Sequence, residues 1–137
     1  MKITIEKLVK APADVVWQAW TSPADITQWN AASDDWHTTT AAVDLRVGGN
    51  FSSRMEAKDG SMGFDFAGTY TKVVTHKLLE ATFGERVLIV EFEEGPFGVT
   101  VRETFDAEST HPVEQQRDGW QAILNNFARH VEASQAR

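Results

Sequence analysis

Residues 112–133, PVEQQRDGWQAILNNFARHVEA, place Val113, Trp120, Ile123, Leu124, Phe127 and Val131 on one stripe of a helix. A helix roughly six turns long with a single apolar stripe has to cover another apolar surface. The preceding segment supplies one. Between Val43 and Asp106 the hydrophobic period falls to two. Phe51, Ser53, Met55 and Ala57 alternate with Ser52, Arg54, Glu56 and Lys58, and Asp59-Gly60 then supplies a pair that hairpin turns favour. Met62, Phe64, Phe66, Gly68 and Tyr70 share one parity beyond that turn. Further runs at Leu78 to Phe83, Val87 to Phe92 and Val99 to Phe105 are divided by Gly84-Glu85 and Glu94-Gly95-Pro96. Short strands joined by short turns predict an antiparallel meander, with the terminal helix on its concave face.

The amino-terminal third completes the order of elements. Lys2 to Lys10 reads as a strand that buries Ile3, Ile5 and Val9. The period then changes to that of a helix carrying Val15, Val16, Ala19 and Trp20, with Pro12 near its start and Asp14 where the helix dipole favours an anion. Ser22-Pro23-Ala24-Asp25 opens a second short helix, serine as N-cap and proline at the first helical position, with Ile26 and Trp29 turned inward. The result is an α+β domain of order β-α-α-β(several)-α, one domain over residues 1–137, with no repeat or linker.

Composition removes several function classes. With no cysteine there is no disulfide framework, thiolate metal site or cysteine nucleophile, and a reducing compartment fits. MKITIEKLVK alternates charge with apolar residues instead of forming a signal peptide, and no window is apolar enough to span a membrane, so a cytoplasmic location is expected. A formal charge of −7 repels nucleic acid and anionic lipid.

Residues 33–37, SDDWH, concentrate the polar chemistry, and three readings stay open. Asp34, Asp35 and His37 are oxygen and nitrogen ligand types, yet adjacent residues rarely converge on one ion, and His76, His111 and His130 lie far off in sequence. No metal and no cofactor is therefore expected. A carboxylate beside an imidazole serves as acid or base where tryptophans exclude water. The third reading is a structural loop: Ser33 or Asp34 caps a turn, Asp35 accepts backbone N–H groups, and Trp36 plugs the open end of the core. Gly48-Gly49 lacks a phosphate-binding frame and reads as a turn or bulge. Glu91, Arg102 and Glu103 lie in late strands; projection into the interior would leave charge unpaired at a cost, so they read as cross-strand partners on the solvent face. No serine has the context of a nucleophile elbow.

Four stretches resemble a known family: KAPADVVWQAWTSPADITQWN (10–30), DLRVGGNFSSRMEAKDG (44–60), GTY (68–70) and DGWQAILNNFARHVE (118–132). In order and across nearly the whole chain they are similar to the START-like helix-grip superfamily (SRPBCC), and within it to the domain related to the activator of the heat-shock protein 90 ATPase. The W-N-x-x-S-D-D-W-H segment looks closest to bacterial single-domain members. Where many relatives carry a Pro-Pro-x-x-Leu turn, this chain reads Thr75-His76-Lys77-Leu78.

The resemblance implies a curved antiparallel sheet wrapped around the long helix and, between them, a cavity used across the superfamily for lipids, sterols, polyketides and other apolar ligands. The side chains expected to line it are Trp29, Trp36, Phe51, Met55, Phe64, Phe66, Tyr70, Trp120, Leu124 and Phe127, although aromatic stripes occur in every core and any one of these residues taken singly reads first as core filling. The function expected first is binding of a small apolar or amphipathic molecule. The alternatives are a protein-interaction module with a chaperone or other protein as partner, and a cavity enzyme using Asp34, Asp35 or His37 as acid or base. Tryptophan exposed on the helix pair would support a homodimer.

Overall fold

The structure, a computed structural model, describes residues 1–135; the last two positions of the expected 1–137 domain lie outside the described residues. Seven strands form one antiparallel sheet: β1 (Lys2–Val9), β2 (Trp36–Val43), β3 (Asn50–Ala57), β4 (Gly63–Val74), β5 (Leu78–Phe83), β6 (Arg86–Gly95) and β7 (Gly98–Asp106). Their order across the sheet is β1-β7-β6-β5-β4-β3-β2, so β2 to β7 are a continuous meander and β1 closes its far edge. Helices α1 (Ala13–Thr21) and α2 (Pro23–Trp29) bridge from β1 to β2, and α3 (Val113–Gln135) follows β7. This is the α+β helix-grip arrangement, with the curved sheet held against the terminal helix.

The core lies where α3 crosses the β1 side of the sheet. Ile3, Ile5 and Val9 from β1, Val99, Val101 and Phe105 from β7, and Leu124, Phe127 and Val131 from α3 are all buried. Each large side chain buried this way contributes about 1.5–3 kcal/mol. Phe105 stacks on Trp120 with ring centroids 3.8 Å apart and planes within 10° of parallel. A second aromatic group, Trp20, Trp29 and Phe127, meets at centroid separations of 4.9–5.0 Å and ties α1 and α2 to α3.

Strand β2 begins at Trp36, seven residues before the point where strand periodicity is legible. The physical reason is a register shift between Thr38 and Thr40, which breaks the alternation that marks a strand. Trp36 and His37 are accordingly strand residues, and the loop is shorter than SDDWH. In α1, Pro12 holds the N-cap without a side-chain bond and Asp14 sits in the first turn. The buried tryptophan of that helix is Trp17, edge-on to Phe92 at 5.3 Å; Trp20 is only half-buried. Ser22 occupies the N-cap of α2, but its hydroxyl makes no capping bond. Its backbone does the joining instead, its N–H donating to Gln18 O and its carbonyl accepting from the Ile26 N–H.

The glycine pair at 48–49 turns the chain between β2 and β3. Gly48 has φ +84°, and a Cβ on Gly49 would lie 2.1 Å from the Asp44 carbonyl oxygen. His76 stands at the turn before β5 with φ 66°, the left-handed region, its ring 6.1 Å from that of Trp17. Arg102 reaches Glu6 at 3.2 Å and Glu93 at 3.3 Å on the outer face. Glu103 therefore points the other way, because neighbours in a regular strand face opposite sides. The expected solvent-face position of Glu103 is wrong: it is 4 % exposed, opposite Ile5 and Val90.

Candidate functional site

The space under α3 is mostly filled by the protein's own side chains. Leu124 and Phe127, expected at a cavity wall, are fully buried in the packed core and line none of the spaces described below. The stacked Phe105–Trp120 pair and the tryptophans of α1 and α2 occupy that volume. What remains inside is a hollow of about 80 Å³ between α2 and strands β2 to β4. Trp29, Phe51, Phe66 and Tyr70 are among its walls. Gly68 lets the Phe51 ring and the Thr82 carbonyl pack close on β4, since a Cβ there would lie 2.4 Å from the Thr82 oxygen and 2.7 Å from the Phe51 ring. Burial raises the Tyr70 phenol to about 12, so it keeps its proton at neutral pH.

A larger apolar cleft, about 300 Å³, opens at the mouth, where α3 stands away from the ends of β2, β3 and β4. Trp36, Met55, Phe64, Trp120 and Ile123 form it. Met55 is buried at its floor, whereas Phe64 remains 49 % exposed and rests its ring 5.9 Å from that of Trp36. Phe66 and Trp120, 6.0 Å apart and perpendicular, separate the cleft from the inner hollow.

On the other side of Trp36 lies an open polar groove of about 550 Å³. Asp34, His37, Lys58, Asn126, Arg129 and His130 supply its charged and polar chemistry. Several fixed contacts shape it. The Asp35 carbonyl accepts the Lys58 N–H at 2.8 Å, tying the α2–β2 loop to the β3–β4 hairpin. Asn126 donates its amide to the Ala31 carbonyl and accepts from Arg129, fixing the loop to α3. His130 meets Asp25 at 2.8 Å, joining α3 to α2, and the Thr38 hydroxyl donates to the Asn30 carbonyl at 2.6 Å.

The three polar candidates of residues 33–37 are thereby divided. Asp34 and His37 face the groove, while the Asp35 carboxylate accepts the Ser33 hydroxyl at 2.5 Å and stays out of it. Among the described residues no group of histidine, aspartate and glutamate is placed to hold a metal ion. His76 packs on Trp17, His111 pairs with Glu108 at 2.8 Å and His130 with Asp25, so the histidines are dispersed. The groove residues that sequence reasoning missed are Lys58, Asn126, Arg129 and His130. Their common signal is position at the ends of β3 and α3 nearest the SDDWH segment, which only the folded register reveals.

A long helix gripped by a curved seven-stranded sheet, with the cleft at the open side, defines a START-like helix-grip protein. The family model for Activator of Hsp90 ATPase homolog 1-like protein matches residues 10–132, and the chain belongs to that family. It is similar to an AHSA1-like protein from Aeromonas hydrophila, known from a solution NMR structure, with 50 % identity and TM-score 0.93, over 100 % of this chain and 96 % of that one. A protein from Cytophaga hutchinsonii is 44 % identical with TM-score 0.83, over 99 % of this chain and 95 % of that one. A protein from Nitrosomonas europaea, 18 % identical with TM-score 0.81 over 100 % and 97 % of the two chains, shares the fold. No curated protein matches the chain. Among the described residues no helix is long and apolar enough to cross a membrane.

Proposed function

We propose that the protein binds a small apolar or amphipathic molecule in the cleft between Trp36, Met55, Phe64, Trp120 and Ile123. The observation that carries this reading is Phe64, a phenylalanine left 49 % exposed at the rim of a concave apolar surface next to a buried methionine. Exposed apolar residues grouped in a cleft are the usual mark of a binding surface. The inner hollow, at about 80 Å³, is well below the roughly 300–1,000 Å³ typical of small-molecule sites, and serves at most as an extension of the cleft. Met55 adapts its shape to irregular ligands, and the two indoles offer flat apolar faces with a donor at the edge.

Titration with fatty acids, flavonoids and polyketide-like aromatics, read by native mass spectrometry and tryptophan fluorescence, tests the proposal. Saturable one-to-one binding that Phe64→Ser weakens at least fivefold is the expected result. Absence of binding across the panel at millimolar concentration, together with acceleration of a chaperone ATPase by the protein, would transfer the reading to a protein-interaction module.

A further inference from the structure

We infer that the ligand is an amphipathic anion, its carboxylate or equivalent acid held in the polar groove and its apolar body in the adjoining cleft. This rests on the binding reading above and specifies its ligand. Trp36 and Ser33 belong to both spaces, so the cleft and the groove are the two sides of one wall. A molecule lying across Trp36 reaches both.

The charge on the groove side argues for an anion. The protein carries a formal charge of −7, yet the ionisable groups lining the groove are Lys58 and Arg129, two imidazoles at His37 and His130, and a single carboxylate at Asp34. Asp25 faces His130 from α2 and is engaged with that imidazole. Arg54, Arg102 and Arg117 are paired with carboxylates elsewhere on the molecule. Lys58 and Arg129 form no ion pair among the described residues, as is also true of Lys7, Lys10, Lys72, Lys77 and Arg86, but they are the two that line a groove beside the apolar cleft. Two cations without carboxylate partners, Arg129 oriented by Asn126 and Lys58 on a backbone held by Asp35, complement an acid group on an apolar body at the edge of the cleft.

The cleft, about 300 Å³ and open to solvent, offers the faces of Trp36, Phe64 and Trp120 and the Met55 side chain to an alkyl chain or an aromatic body.

The experiment compares decanoate with 1-decanol by isothermal titration calorimetry on the wild-type protein, Lys58→Gln, Arg129→Gln and Trp36→Ala. Decanoate is expected to bind at least tenfold more tightly than decanol. Lys58→Gln and Arg129→Gln each cut decanoate affinity about five- to tenfold and leave decanol binding unchanged, and Trp36→Ala weakens both probes. Raised salt weakens decanoate binding only. Thermal melts establish that each variant is folded; if Arg129→Gln is not, Lys58→Gln together with salt dependence decides the matter. Equal affinity for the two probes, with no effect of the cation variants, overturns the anion inference and leaves the binding site standing. Failure of both probes to bind overturns the two together.

Discussion

Glu103 gives this protein a pH-dependent stability that a single substitution removes. Its carboxyl is 4 % exposed on the inner face of β7, between Ile5 and Val90 on the flanking strands and Val101 and Phe105 along its own. Burial raises its pKa to about 8 from an ordinary 4.5, and no neighbouring charge offsets that burial. Because the folded pKa lies above the unfolded one, the unfolded chain releases the proton first. Stability is fully present below pH 4.5 and is lost as the pH climbs towards and through 8. At about 1.4 kcal/mol per pH unit, the loss between pH 5 and pH 7 is about 2–3 kcal/mol, on the order of 10 °C in Tm for a chain of this size. Glu103→Gln keeps the shape and removes the ionisation. Chemical denaturation of the two proteins at pH 5, 6, 7 and 8 is the assay, because other titrating groups cancel in the difference. The variant should gain on the wild type by that 2–3 kcal/mol from pH 5 to pH 7. Parallel stability profiles would refute the argument and mean that Glu103 is hydrated or paired in solution.

Three further substitutions probe local claims. Trp29→Phe removes the indole N–H that donates to the Ala19 carbonyl at 3.0 Å, and should cost about 1–2 kcal/mol in denaturant melts while the helix content by circular dichroism is retained. Gly49→Ala forces a methyl to within 2.1 Å of the Asp44 carbonyl oxygen and should destabilise by roughly 2 kcal/mol or more. Gly48→Ala meets no atom within 4 Å and should cost only the left-handed backbone penalty, about 1 kcal/mol. At the β4–β5 turn, His76→Asn should be tolerated and His76→Val should lose about 1–2 kcal/mol by thermal melt, since asparagine adopts φ 66° far more readily than a β-branched residue.

The architecture was legible wherever one periodicity ran uninterrupted. Helix α3 and strands β3 to β7 each carry a stripe or an alternation long enough to show which side is buried. Strand β2 was hidden because the irregularity at Thr38–Thr40 breaks its alternation. Trp17 was hidden because α1 is covered by β6 and β7 as well as by α2 and α3, so its buried face is wider than a single stripe. For Glu103 the parity was available: Arg102 facing outward commits its neighbour inward, and charge alone was a poor guide to side. In the apolar half of the proposed site, Met55, Phe64 and Trp120 follow from strand and helix phase, whereas Trp36 read as a loop residue and belongs to the hidden strand β2. The polar half depends on which chain ends the fold brings together. Lys58 follows the last residue of β3 and Arg129 sits near the end of α3, 71 positions later, and no local pattern couples them. Nor does sequence reveal how tightly a core packs: the stacking of Phe105 on Trp120 turns the expected interior cavity into a small hollow and displaces the open space to the mouth.

The placement of that open space is tested most directly by the protein's three methionine methyl groups, which report on different surroundings. Met55 lies at the floor of the cleft, Met62 is 66 % exposed in the β3–β4 hairpin, and Met1 is 83 % exposed at the chain start. In a decanoate titration followed by methyl NMR of protein labelled at methionine, the Met55 resonance should shift saturably and those of Met62 and Met1 should stay in place. A silent Met55, or equal movement of all three, would contradict a ligand site at the mouth of the grip.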